Sequence, residues 1–160
     1  AHLTVQVFVQ MWELVLYIFG LTMAAILAGS LAFFSCVVAP LIFIKLDGDT
    51  AGYFVRSIFP WYYLFTASLA AISAVSLFRG YPLEASILAF ISAGSICGRQ
   101  ILMPWINRCR DSMSADNTKA ERSFKILHGI SVWINVLQLI GSISVVILLG
   151  YGNYHRLLIS

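Results

Sequence analysis

Long stretches without a charged residue constrain the fold of this chain more than any other feature. Between Glu13 and Lys45 lie 31 residues without Asp, Glu, Lys or Arg, and between Arg56 and Arg79 lie 22. A helix needs about 20 apolar residues to cross the hydrocarbon core of a bilayer. Because lipid offers the backbone no hydrogen-bond partners, such stretches fold there as continuous helices. The sequence therefore predicts an all-α, polytopic membrane protein.

The overall composition agrees with lipid as the main solvent. Of the 160 residues, 60% are hydrophobic and only 11% are charged, whereas soluble domains carry about a quarter charged residues. The sequence pI is about 8.9, but the basic residues stand between apolar runs and form no basic face with aromatic platforms. We therefore expect membrane lipids as partners and no nucleic acid.

The charges divide the chain into four predicted spans within one domain, residues 1–160. Eight of the ten Lys and Arg residues fall on the side of the two longer connections, which places those connections in the cytoplasm and both termini outside, in a bacterial inner membrane or its equivalent. Segment Asp47–Ser57 is compatible with either an interfacial helix or a loop. The predicted four-transmembrane-helix bundle has helices at about 14–38, 57–78, 84–107 and 124–149 and cytoplasmic loops at 39–56 and 108–123.

Three prolines are expected to mark helix ends. Proline lacks an amide hydrogen and clashes with the preceding turn, so Pro40 and Pro104 are predicted to end the first and third helices. Pro60 falls near the first turn of the second helix, where its missing donor costs least. The neighbouring aromatic residues Tyr62 and Trp105 are typical of the aromatic belt at the headgroup level.

Polar residues follow one stripe of the last predicted helix. They are separated by three, four, three and four positions, which places them on one face that we expect to point into the bundle, away from lipid. The stripe has two interpretations: hydrogen-bonding contacts between helices, or a polar cavity open to the cytoplasm. Its members are His128, Ser131, Asn135, Gln138 and Ser142.

Arg99 adds to the case for a cavity, because a guanidinium inside a membrane is normally paired or hydrated. It either extends to the headgroups or is satisfied by carbonyls, Asn135 or an anionic ligand. Asp111 is expected to pair with a neighbouring arginine, and His128 to donate to a carbonyl freed near Pro104. The predicted cluster, structural or ligand-binding, comprises Arg99, Asn107, Asp111, His128, Ser131, Asn135 and Gln138.

No catalytic or metal site is predicted. The sequence has no Ser-His-Asp order with usable geometry, no phosphate-binding glycine loop and no paired carboxylates at membrane depth. His2 and His155 lie near the predicted outer face and His128 near the inner one, so two histidines cannot share one iron. The three cysteines lack metal-binding spacing. We expect no enzyme activity, no metal and no cofactor, with His128 as a sole axial ligand the least favoured alternative.

Three motifs resemble the transmembrane protein 205-like family of small four-helix membrane proteins. The resemblance covers nearly the whole chain and implies a compact helical bundle without an established reaction. The resemblance also extends to copper-resistance-type membrane proteins as distant relatives, which implies metal handling as an alternative function. This chain lacks the extra histidines or methionine clusters that would support it. The motifs are Ile58-Phe59-Pro60-Trp61-Tyr62-Tyr63, Leu102-Met103-Pro104-Trp105-Ile106-Asn107 with Arg110-Asp111, and Phe124 with Leu127-His128-Gly129, Ser131 and Asn135.

Two functions follow as hypotheses from these features. The first is a non-enzymatic accessory or structural subunit that packs against a larger membrane complex, such as a respiratory or photosynthetic one, because the exterior is apolar and rich in aromatic residues. The alternative is a protein that binds or transports a small ligand or metal ion in a polar cavity on the cytoplasmic side, using Arg99, His128 and Asn135.

Overall fold

A computed structural model describes residues 2–113 and 118–159, and within them the regular structure is entirely helical. Four helices are long and apolar enough to cross a membrane, over Thr4–Lys45, Gly48–Leu77, Pro82–Asp111 and Thr118–Gly152. The chain is therefore a multi-pass membrane protein with a four-helix bundle, as predicted. Its elements are α1 (His2–Phe33), a first π-helical turn (Phe34–Val38), α2 (Ala39–Lys45), α3 (Gly48–Leu77), α4 (Pro82–Cys97), a second π-helical turn (Gly98–Leu102), α5 (Met103–Asp111) and α6 (Thr118–Ile159).

The prediction of a loop over 39–56 is wrong. α2 and α3 cover almost all of it, and only Leu46 and Asp47 connect them. The Asp47 carboxylate caps α3 by accepting a hydrogen bond from the Thr50 amide at 3.0 Å, so the chain turns back into a helix at once. This hydrogen bond lowers the pKa of Asp47. The cap is therefore intact at neutral pH and weakens as the pH falls through that lowered value.

Helices α1 and α6 both extend beyond the predicted spans. α1 starts at His2 instead of about residue 14, and α6 starts at Thr118 instead of about 124. An ion pair of 2.6 Å between Lys125 and Glu121, one turn apart, supports this early start of α6. Residues 114–117 of the predicted loop 108–123 lie outside the described residues. The charged residues that were expected to lie in loops thus lie largely in helical extensions.

Pro40 and Pro104 do not end their helices, contrary to the prediction. Each follows a π-helical turn, in which the residue before the proline, Ala39 or Met103, donates its amide hydrogen to the carbonyl five residues earlier. A proline ring clashes with the carbonyl four residues before it. The wider turn accommodates the ring, so the helix continues towards α2 or α5. The prediction that Pro60 lies near the first turn of its helix is also wrong, because α3 begins at Gly48 and Pro60 is in its interior.

Each long helix turns one face towards the others. On α3 this face contains Tyr62, Thr66, Ala70, Ser73 and Leu77, all buried and spaced by three or four positions. Exposed side chains on the outside are mostly large and apolar, such as Phe90 on α4 at 80% exposure. In a water-soluble protein such a surface would be unfavourable, whereas lipid solvates it.

Small residues bring the helices close together at two levels. A Cβ atom added to Gly20 of α1 would lie 2.7 Å from Cγ of Leu77. A Cβ added to Gly98, in the second π-helical turn, would lie 2.8 Å from the Tyr63 ring. Glycine at these positions allows the close backbone approach that membrane helices use in place of hydrophobic association.

We predict that Gly98→Ala destabilises the protein, because the new methyl group must displace the buried ring of Tyr63. Overpacking of this kind costs roughly 1–3 kcal/mol. Gly29→Ala is the matched control, since a Cβ there meets nothing within 4 Å. Thermal unfolding in detergent measures both variants. Equal midpoints for the two variants would contradict the close packing of α3 against the second π-helical turn.

Candidate ligand-binding cavity

One end of the bundle, which we call the loop end, is where α2 meets α3 and where α5 ends. Two arginines bind α5 to the first turns of α3 there. Arg56 forms an ion pair of 2.6 Å with Asp111 and also donates to the backbone carbonyl of Asn107 at 3.5 Å. Arg110 donates to the Gly48 carbonyl at 2.7 Å, and its guanidinium lies directly against Gly52. Asp111 therefore pairs with an arginine as expected, but with one from another helix.

A cavity of about 290 Å³ lies between the helices at the loop end. Its walls come from the first π-helical turn and from α2, α3, α5 and α6. This volume is close to the lower end of the roughly 300–1,000 Å³ usual for ligand pockets. Most of the lining is apolar or aromatic, including Phe34, Ile42, Phe43, Phe59, Tyr63 and Met103.

Aromatic rings form a connected cluster beside this cavity. The Phe34 ring stacks on the Tyr62 ring with centroids 4.1 Å apart, and it meets Phe59 edge to face at 5.4 Å. Phe59 in turn contacts Tyr63 at 5.7 Å. Tyr62 is only 9% exposed, so its predicted place in an interfacial aromatic belt is wrong. Tyr62 faces the bundle interior and packs against Phe34, which lines the cavity.

Three polar side chains form a hydrogen-bonded chain across this end of the bundle. The hydroxyl of Ser35 donates to Oδ1 of Asn135 at 2.7 Å, and Nδ2 of Asn135 donates to the Tyr62 hydroxyl at 2.7 Å. These two hydrogen bonds link the first π-helical turn to α6 and α3. Asn135 and Ser35 both line the cavity, but their hydrogen-bonding groups already hold the helices together.

Two other polar side chains in the cavity are different. The Asn107 amide on α5 and the His128 imidazole on α6 both line the cavity, and neither has a hydrogen-bond partner among residues 2–113 and 118–159. His128 is held by rings instead, stacked on Phe124 at 5.9 Å and edge to face with Phe43 at 6.3 Å. The expected bond from His128 to a carbonyl near Pro104 is absent from this described part of the chain.

Two apolar residues that line the cavity are also strongly exposed. Phe43 of α2 and Val132 of α6 line the cavity and are also 61% and 48% exposed on the outer surface. The ring contact between Phe43 and His128 joins the two helices at this level. The cavity is thus bordered by apolar side chains on its membrane side, between α2 and α6.

The predicted cluster of seven residues is not one site. Asn107, His128, Ser131 and Asn135 line the cavity together, although the Ser131 hydroxyl donates to its own helix at the His128 carbonyl. Arg99 is half-buried in the second π-helical turn and does not line the cavity. Within the described ranges its side chain makes no hydrogen bond or ion pair.

Gln138 belongs to a second, deeper polar network. Its amide nitrogen donates to the Ile91 carbonyl and to the Ser95 hydroxyl, both at 3.1 Å. Thr66 also donates to Ser95 at 3.1 Å, so α3, α4 and α6 are joined in the bundle centre. Wherever side chains are described, every buried side-chain nitrogen or oxygen has a partner. This network supports the structural interpretation of the stripe at its inner end.

A wider depression of about 560 Å³ lies at the opposite end, between α1 and the turn after α3. Its walls include Trp12 at 51% exposure and the exposed charged residues Glu13 and Arg79. Most of the side chains that line this depression are exposed, whereas buried side chains such as Phe34, Tyr63 and Met103 line the cavity at the loop end. The smaller cavity is therefore the better candidate site.

Sequence reasoning missed the aromatic half of the site. Phe34 and Phe43 carry no polar atom and belong to general apolar runs, and Phe59 stood out only as part of a family motif. The arrangement of the three rings depends on how the helices meet. The available signal was the dense aromatic run 58–63 close to Pro60. No group of three or more His, Cys, Asp or Glu residues suited to a metal ion occurs in the described part of the chain, and the side chains of His2 and His155 lie outside it.

These features define a class of protein: a four-helix, multi-pass membrane protein with a mainly apolar cavity between its helices. The chain belongs to the family defined by a domain of unknown function, DUF4149, whose sequence profile matches residues 22–115. That range includes the first π-helical turn, all of α3 and the second π-helical turn. No curated protein and no solved structure matches the chain significantly.

We predict that Tyr62→Phe destabilises the bundle, because it leaves the Asn135 amide without its acceptor. Hydrogen bonds between membrane helices contribute about 0.5–2 kcal/mol. Tyr53→Phe is the control, since Tyr53 is 77% exposed. Thermal or denaturant unfolding in detergent compares the two. The role assigned to the Ser35–Asn135–Tyr62 chain would be refuted by a Tyr62→Phe protein as stable as the control.

Proposed function

We propose that this protein binds a small, mostly apolar ligand in the loop-end cavity. The observation that carries the proposal is an apolar enclosure containing two polar side chains, Asn107 and His128, without partners in the described structure. Ligand sites typically combine apolar walls with a few polar groups that fix orientation. Water is a poor occupant, because each buried water needs two to four polar partners and most of this lining offers none.

The apolar lining favours an organic ligand over a metal ion, since metals select carboxylate, imidazole or thiolate donors. The binding hypothesis also allowed a metal ion as the ligand. A metal site here would need further ligating side chains besides His128, and these would have to come from outside the cavity. The proposed role is binding or carrying, not catalysis. Neither serine hydroxyl of the cavity donates to the His128 imidazole, since Ser131 donates to a backbone carbonyl and Ser35 to Asn135, so no serine has the paired base that an activated nucleophile needs.

For orientation, we propose that the loop end faces the cytoplasm and both chain termini lie outside, in a bacterial inner membrane or its equivalent. The support is the excess of Lys and Arg at this end, eight of ten in the sequence. Membership of the DUF4149 family is established, whereas a closer relation to the transmembrane protein 205-like proteins remains a prediction. Its support is the three motifs, whose residues Phe59, Asn107, His128 and Asn135 line the cavity.

Filling the cavity tests the binding function. Ala39→Phe and Val136→Phe each add a ring to a different wall, so one remains informative if the other fails to fold. We expect both variants to lose the apolar small molecules that co-purify with the natural protein, by at least tenfold in extraction and mass spectrometry. Leu137→Phe is the control, because it adds a ring to α6 at a position that is 64% exposed and does not line the cavity. Unchanged content in both folded variants would refute the proposal.

One observation favours the accessory-subunit function as a second candidate. Trp133 lies well inside the apolar part of α6 and is exposed, yet tryptophan in membrane proteins prefers the headgroup level, where its N–H meets a polar partner. No hydrogen bond of its indole occurs in the described part of the chain. A neighbouring subunit would cover the ring and accept this hydrogen bond.

The subunit hypothesis predicts that gently extracted protein migrates as a larger assembly on native sizing. Trp133→Leu should release the monomer, because the ring and its donor are lost from the contact. Trp61→Leu is the matched control, since Trp61 is equally exposed at 71% but lies on α3. A monomer for the natural protein under every mild condition would rule out this second function.

A further inference from the structure

The polar groups and walls of the loop-end cavity narrow the class of ligand, given the proposed binding function. We propose that the ligand is a lipid-soluble molecule with an uncharged flat ring that carries carbonyl acceptors, on an apolar tail. The lipid-soluble quinones are the membrane molecules with this chemistry. The ring would occupy the cavity, and the tail would leave between α2 and α6.

Size and wall chemistry favour a flat ring. A cavity of about 290 Å³ lies near the lower limit of about 300 Å³ for ligand pockets, so it fits a head group and excludes a whole lipid. The rings of Phe34, Phe59 and Tyr63 line it, and aromatic side chains pack against other rings in offset or edge-to-face contacts. A planar head extends this existing cluster.

The unpartnered polar groups favour acceptors on that ring. The Asn107 amide provides two N–H donors, and a neutral His128 provides one. They come from two helices, α5 and α6, that line the same cavity. A ring with carbonyl oxygens at separate positions accepts from both. A pure hydrocarbon would leave the polar groups of both side chains without a partner, whereas carbonyl acceptors on the ring would satisfy them.

The ligand head should carry no charge. An anionic head group, such as a phosphate or carboxylate, normally requires a free basic partner. Arg56, whose guanidinium touches the Asn107 backbone, is already paired with Asp111 at 2.6 Å. Arg110 is bound to the Gly48 carbonyl. The two basic side chains that join α3 to α5 are therefore occupied, and Asn107 and His128 suit a neutral head.

The rim explains how such a ligand would enter. Phe43 and Val132 line the cavity and are exposed on the outer surface, so the opening is bordered by side chains that contact lipid tails. A tail that leaves there stays in hydrocarbon. Phe43 also contacts His128, so the ring at the opening touches one of the two proposed donors. The head therefore passes this ring on its way to Asn107.

The test compares two probes with the same tail and different rings: a decyl-tailed benzoquinone and decylbenzene, which lacks the carbonyls. Both are titrated into the purified full-length chain in lipid nanodiscs, and binding is followed by native mass spectrometry. We expect the quinone to bind at least tenfold more tightly than decylbenzene. His128→Phe and Asn107→Leu should each reduce this preference to less than threefold. Gln100→Leu, which removes an exposed amide on the same span, should retain it.

The outcomes separate this inference from the proposed function. If both probes bind equally and Ala39→Phe blocks both, the cavity binds ligands but the carbonyl-ring assignment is wrong. If neither probe binds the natural protein and a phospholipid remains bound that the quinone cannot displace, the assignment is wrong as well. If neither binds and cavity filling changes nothing, the binding function fails too. The preference is the ratio of the two probe affinities for the same variant. A moderate loss of stability lowers both apparent affinities alike, so the ratio still reports on the ring.

Discussion

The need to satisfy every backbone hydrogen bond inside hydrocarbon underlies the rest of this structure. Water is absent there, so an unpaired amide or carbonyl is strongly unfavourable and the chain stays helical wherever it can. Even Pro40 and Pro104 are accommodated within continuous helices, because a π-helical turn comes before each of them. Outside the spans the connection between α2 and α3 is also short, only Leu46 and Asp47, because the Asp47 side chain caps the new helix.

The two widened turns lie next to the cavity. A π-helical turn adds a residue to the helical repeat and changes the direction of the side chains that follow. The first turn contributes Phe34 and Ser35 to the cavity walls, and Met103 follows directly after the second. Gly98, in the second turn, lets Tyr63 approach closely. The prolines thus influence the site through the backbone geometry around them, not through contact with a ligand.

The sequence predicted the membrane class, the number of spans and the inward face of α6, because these depend on local composition and on a helical period. Ser131, Gln138 and Ser142 are buried as the stripe required. The extent of the helices was not predictable in the same way. Charge marked 39–56 as a loop, but charge shows where a helix leaves lipid and not where it ends, and Lys45 and Arg56 both lie within helices.

The composition of the site depended on contacts between helices, which one sequence does not encode in its spacing. Arg99 has the charge expected for the polar cluster, yet it lies in the second π-helical turn and does not line the cavity. Tyr62 has the composition of an interfacial residue, yet its hydroxyl accepts a hydrogen bond from Asn135 across the bundle. The place of Tyr62 is thus set by a partner far away in the sequence, and that of Arg99 lies within a local change of helical winding; neither is visible in residue spacing.

The apolar border formed by Phe43 and Val132 determines from which compartment a molecule reaches the cavity. A molecule that reaches the cavity through this border comes from the acyl region of one leaflet, so its amount per unit of membrane area, and not its level in the aqueous compartment, sets occupancy. Lipid tails compete for the same opening. Changes in acyl-chain order or membrane thickness would therefore alter loading of the protein even at a constant total amount of the molecule.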